Sequence, residues 1–102
     1  MLLAAEAVGQ VLIAAAGELR DLAASAAVNV AQAQYVAAES ALRAAELIFD
    51  VGGGSATDRK YALDRHWRNA RTIANHNPRN WKVAVAGSYH LIGEEPPTSG
   101  LF

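Results

Sequence analysis

The sequence predicts an all-α protein, and three observations carry that reading. Apolar residues, many of them alanine, recur at three- and four-residue spacing through most of the first fifty positions. The strong breakers gather at a few points: the run Gly52, Gly53 and Gly54, then Pro78, then Gly93 with Pro96 and Pro97 behind it. No stretch shows the apolar/polar alternation of a half-buried strand. At 102 residues and 52% hydrophobic, the chain has room for one small domain and enough apolar material for a core.

Taken in order, residues 2–16 are apolar nearly all round, with Glu6 and Gln10 four apart as one narrow wet edge, which predicts a core helix. Gly17 and the charged group Glu18, Arg20 and Asp21 predict a break, after which a second helix covers residues 19–50, roughly 48 Å at 1.5 Å per residue. That helix is apolar on two faces. Val28, Tyr35, Leu42 and Phe49 repeat every seven residues, and Val30, Ala33, Ala37, Ala44, Leu47 and Val51 run down nearly the opposite side. Two partner surfaces are therefore expected, with Glu39, Arg43 and Glu46 as the solvated strip between them.

Gly52, Gly53 and Gly54 stop the helix, since glycine accepts the left-handed closing conformation. Three in a row read either as a loose connector or as a place where bare backbone lies against a ligand. Thr57 or Asp58 then caps a helix over residues 59–74 with Leu63, Trp67, Ala70 and Ala74 inward. Its Arg65, Arg68 and Arg71 fit carboxylate partners such as Asp64 or Asp58 better than a phosphate site. Asn75, His76 and Asn77 end that helix, and Pro78 opens another through Leu91 that sets Trp81, Val85, Tyr89 and Ile92 roughly on one side. The tail from Glu94 is predicted to be an extended arm that orders by docking.

Composition excludes several classes of function. Nine Lys and Arg against ten Asp and Glu leave a net charge of -1, so bulk charge calls for neither nucleic acid nor an anionic membrane. The absence of cysteine removes disulfide and thiolate chemistry and suits the cytoplasm. The first charge is Glu6 rather than a basic signal-peptide flank, and Glu6, Gln10 and Glu18 interrupt any membrane-length apolar run. His66, His76 and His90 stand ten and fourteen apart without ligand-spaced acids, so no metal site is expected. Ser55 and His76 both fall in turns, but nothing in their spacing supports a nucleophile and base pair. Read alone, His76 is a helix-terminal histidine bonded to backbone.

Two stretches carry a family resemblance: AAESALRAAELIFDVGGGSAT and LDRHWRNARTIANHNPRNWK. Together they resemble the C-terminal helical-bundle domain of the acyl-CoA dehydrogenase superfamily. The nearest branch is the flavin-dependent monooxygenases of sulfur acquisition and dibenzothiophene desulfurisation. The resemblance covers residues 1–97, and the DRHWRNAR and His-Asn-Pro elements are its specific part. It implies an up-down helical bundle, of which this chain holds the last three of four helices as residues 1–93, followed by an arm at 94–102. It also implies an N-terminal helical domain and a β-domain that these residues lack, so that they alone do not catalyse.

What the resemblance implies about chemistry centres on the two turns. In the monooxygenase branch a histidine matching His76 supports the flavin C4a-hydroperoxide as oxygen passes to an organosulfur or similar small substrate; imidazole both donates and accepts near neutrality. Residues matching Gly53 and Gly54 approach the flavin, where backbone N–H groups meet phosphate or ring edges. The cofactor implied is FMN, delivered reduced by a separate flavin reductase, with FAD as the alternative, and the protein is implied to be a homo-oligomer, dimer or tetramer. In the dehydrogenases a catalytic carboxylate stands where Asn77 stands here, and an amide is no base, which argues against α,β-dehydrogenation. Some desulfurising relatives carry arginine in place of Gly54 and histidine in place of Ile73, departures that bear on phosphate contact and substrate. Two other readings stand beside this one: an FAD-dependent acyl-CoA dehydrogenase fragment, and a non-catalytic helical oligomerisation module.

Overall fold

The computed structural model describes residues 2–98, with side chains from residue 4. Three α-helices form: α1 over Leu2–Gly52, α2 over Asp64–His76 and α3 over Arg79–Ile92, with two single 3-10 turns at Gly54–Thr57 and Arg59–Tyr61. Among the described residues there is no strand. No described helix is long and apolar enough to cross a membrane.

The break expected at Gly17 does not occur, because α1 runs unbroken for 51 residues. One interior glycine costs about 1 kcal/mol relative to alanine, and the Ala- and Leu-rich turns on either side outweigh it. The charges at Glu18, Arg20 and Asp21 lie along the helix instead of ending it. At 1.5 Å per residue such a helix is roughly 76 Å long, and it sets the long dimension of a molecule measuring 80 × 25 × 20 Å.

The other two helices return along α1 one after the other. Cross-links fix the direction, since partner numbers on α1 fall as those on α3 and the arm rise: Glu39 with Arg79, Gln32 with His90, Arg20 with Glu95. In α2 the order is the same, with His66 and Asn69 beside Ala45 and Ile48, and Ala74 and Asn77 beside Gln34 and Ala38. Thus α1 goes up, while α2 and α3 come down in succession and pack on α1 rather than on each other.

Among the described residues of the helices and turns, the buried apolar ones are Val28, Ala31, Ala45, Ala56, Ala74 and Ala86, five of the six alanine. Small side chains let helices approach closely but bury little area apiece, so the core is a thin seam. Val28 of the seven-residue stripe is fully buried and Tyr35, Leu42 and Phe49 are half-buried, so that stripe meets α2 and α3. The opposite stripe is open, with Val30, Leu47 and Val51 all exposed. Residues 4–16, within the stretch expected as a core helix, are exposed except for the half-buried Gly9, and the first described cross-link from another element to α1 comes at Arg20.

α2 starts at Asp64 rather than at residue 59. Asp58 accepts from the Lys60 backbone N–H (3.0 Å) and so caps the short turn at Arg59–Tyr61. Ala62 then takes a left-handed conformation (φ 49°, ψ 36°), which ends that turn. Trp67, expected inward, is 46% exposed; Leu63 and Ala70 are half-buried, and Ala74 is buried. Arg68 pairs with Asp64 at 2.9 Å, as its spacing suggests.

α3 closes in a left-handed Gly93 (φ 71°), whose N–H bonds to the Tyr89 carbonyl while that of Glu94 bonds to Ser88. The chain then folds back over α3, near Trp81, Val85 and Ser88. Pro96 is buried, and Glu95 accepts from Arg20 Nη2 (2.9 Å) and Nε (3.2 Å). The last four residues of the expected arm lie outside the described residues.

Candidate functional site

The first turn is built where α1 stops. The Gly53 N–H bonds back to the Phe49 carbonyl at 2.9 Å, and Gly53 itself sits at φ 72°, ψ −170°, a region open essentially to glycine alone. A Cβ on Gly52 would lie 2.7 Å from the Cβ of Ala56, so this glycine serves close packing over a buried alanine. Gly54 is different. A Cβ there would meet nothing within 4 Å, the residue is exposed, and its N–H enters no backbone hydrogen bond around the turn. Its carbonyl accepts from the Thr57 hydroxyl at 2.8 Å, which holds the following turn in shape. Two of the three glycines therefore have structural reasons, and the third leaves bare backbone facing outward.

The second turn joins α2 to α3. His76 is the last residue of α2; its side chain is exposed and makes no hydrogen bond among the described residues. Asn77 is extended (φ −120°, ψ 93°) and points inward, with a buried Oδ1 that has no hydrogen-bond partner. It lines a small cleft of about 190 Å³ whose other walls include Gln34, Ala38, Ala70, Ile73 and Arg79. At the cleft's edge Arg79 Nε stands 2.7 Å from Glu39 Oε1. The contact is an ion pair by distance, but its N–H is not aimed well enough at the oxygen to count as a hydrogen bond.

These two turns lie beyond opposite ends of α2, a helix roughly 20 Å long, with the two 3-10 turns between the glycines and its start. No described cleft contains both His76 and either Gly53 or Gly54. The structure thus places all three at helix ends, two of them, Gly54 and His76, with outward-facing groups, and does not bring them together within one copy. Among the described residues no group of three or more His, Asp or Glu could hold a metal ion.

Sequence reasoning missed one feature. Lys82 of α3 is 1% exposed, packed against α1 beside Ala31 and Tyr35 in a cleft of about 470 Å³. The same cleft holds a Gln32–His90 hydrogen bond (Nε2 to Nε2, 2.9 Å). The signal was present in the four-residue step from Lys82 to the buried Ala86, which puts lysine on the packed stripe; residue type argued for solvent instead.

The geometry defines a class: a helical module that carries a glycine turn at one end of its short helix and a histidine turn at the other. The family model for the C-terminal domain of acyl-CoA dehydrogenases matches residues 1–81. The chain belongs to that family. Among relatives it is similar to a dibenzothiophene monooxygenase of Mycolicibacterium goodii, 39% identical over 74 residues, which is 72% of this chain and 18% of that protein. A dibenzothiophene monooxygenase of Rhodococcus erythropolis is 36% identical over 69 residues, 68% of this chain and 16% of the relative. A probable FMNH2-dependent monooxygenase of Pseudomonas putida, SfnC, is 32% identical over 73 residues, 72% of this chain and 18% of the relative. The chain spans less than a fifth of the length of the curated relatives it matches. No solved structure gives a significant match.

Proposed function

We propose that this domain serves a flavin-dependent monooxygenase of the two-component kind, in which a separate reductase supplies reduced FMN and oxygen passes to an organosulfur or similarly small substrate. Family membership supports the flavin, and the names of the relatives support the monooxygenase branch. The observation that carries the reading is the pair His76 and Asn77: an exposed imidazole beside an amide, with no carboxylate in the turn that joins α2 to α3. An amide cannot abstract a proton, so the turn suits proton delivery by histidine and not α-proton removal from a thioester.

Bound reduced flavin supplies the activation of dioxygen; the residues of this chain position and protonate. The Gly54 N–H, exposed and free of backbone bonding, is a donor for a phosphate or ring edge, and the missing Cβ lets that ligand come close. His76 holds or gives a proton at Nδ1 or Nε2. Since the two stand at opposite ends of α2, we read them as contributing to separate contacts, each completed by protein outside this single copy. Self-association is part of the proposal, as the open apolar stripes of α1 support it.

In the intact enzyme, supplied with a reductase and FMN, His76→Ala is expected to cut oxygenation by ~10²-fold or more, the scale of a general acid or base. Flavin binding should be unchanged. Oxygenation at the wild-type rate would remove His76 from the mechanism.

A further inference from the structure

α3 begins against the usual rules for a helix start. Its N-cap is Pro78, which makes no side-chain capping bond, its first turn carries no acid, and its first residue is a cation, Arg79. The unbonded N–H groups and the positive end of the helix dipole favour an anion there and disfavour arginine. The missing carboxylate comes from another helix. Glu39 of α1, expected on the solvated strip, brings Oε1 to 2.7 Å from Arg79 Nε. Of the described ion pairs, two lie within one helix and one ties the distal arm, so this pair is the one that fastens the start of a helix to α1. It is also the best sheltered. The Arg79 side chain is 20% exposed, against 72%, 65% and 74% for the arginines of the other three pairs.

The pair stands directly behind the histidine turn. Asn77 is turned in toward Gln34 and Ala38, in the cleft that Arg79 also lines, and this leaves the neighbouring His76 exposed. Because α2 and α3 pack on α1 rather than on each other, the turn between them takes its support from α1. We propose that Glu39 and Arg79 are positioning residues for His76: their ion pair pins the first turn of α3 to α1, keeps Asn77 seated in its cleft, and so holds the imidazole in one direction. This rests on the reading above in which His76 holds or gives a proton.

The test uses the intact enzyme with Glu39→Gln, which keeps the shape of the side chain and removes its charge. Amide hydrogen exchange followed by mass spectrometry is expected to quicken by about tenfold in residues 75–81, while residues 64–72 and 85–92 keep their rates. With reductase and FMN supplied, kcat for oxygenation should fall by about tenfold at unchanged KM and flavin affinity, since a small misplacement of the proton donor affects the chemical step. The melting midpoint should barely move, because a partly exposed pair contributes little to stability. Exchanging the charges, Glu39→Arg with Arg79→Glu, is expected to restore both readouts, as the acid then lies at the helix start that favours it.

Unchanged exchange in Glu39→Gln would overturn the proposal. Faster exchange throughout α2 and α3 with a raised KM would overturn it too, as general loosening, and so would a charge-exchanged variant that restores neither readout. His76→Ala, measured alongside, separates this proposal from the functional reading. If His76→Ala is impaired and Glu39→Gln keeps its kcat, positioning alone falls. If His76→Ala is not impaired, the functional reading falls, and the exchange rates still decide whether the pair holds the turn.

Discussion

Gly53 and Gly54 are adjacent and identical in type, yet their dihedral angles and surroundings assign them opposite roles. Gly53→Ala forces a side chain into φ 72°, ψ −170°, at a cost on the order of 1–3 kcal/mol. In a domain of this size that is a drop of several degrees or more in the thermal midpoint. Gly54→Ala meets open space and is expected to stay within about 0.5 kcal/mol of wild type, so a melt on each variant separates the two. If Gly54 meets a ligand, the alanine variant of the intact enzyme should instead weaken flavin binding with its stability unchanged. The glycine run was legible in the sequence as a turn, but which glycine is structural was not, because one-letter identity carries no φ. Likewise His76 read as bonded to backbone and makes no hydrogen bond among the described residues, and the burial of Lys82 was not anticipated. Local pattern says where a helix ends, and only the neighbouring helix says which side chains it covers.

At the scale of elements, α1 contradicts a break that local pattern favoured. Gly17 sits inside a continuous helix with nothing within 4 Å of where its Cβ would be. Gly17→Ala should therefore raise stability by about 0.5–1 kcal/mol in a denaturant titration, as at any helical glycine. A loss would mean that the backbone bends there after all. The arm beyond α3 is held by the exposed Arg20–Glu95 pair, whose side chains are 72% and 49% accessible, and by the buried Pro96. A surface pair of this kind contributes roughly 0–1 kcal/mol. Arg20→Ala is expected to leave the melting midpoint nearly unchanged while quickening protease cleavage after Gly93. Equal cleavage rates would show that Pro96 alone holds the arm. Helix ends marked by glycine or proline were legible; the start of α2 was not. Asp58, a good cap by type, was already committed to a three-residue turn.

At the scale of the whole molecule, a rod of 80 × 25 × 20 Å whose described helical seam buries mostly alanine has little core to hold it. Much of its apolar surface waits on something else to cover it. The thermal midpoint should accordingly rise with protein concentration, the mark of stability coupled to association. A midpoint independent of concentration would show that α1 and its two returning helices suffice alone. By itself the sequence determined the all-helical class, the two-faced character of the long helix, both turns and the family, because these follow from local periodicity, breakers and motif. Only the tertiary structure decided that α1 is unbroken and that α2 and α3 descend it in series. It alone showed that Gly54 and His76 stand at opposite ends of one short helix. Those facts depend on which surfaces meet across distant parts of the chain, and residue spacing along one helix does not encode which other helix will cover it.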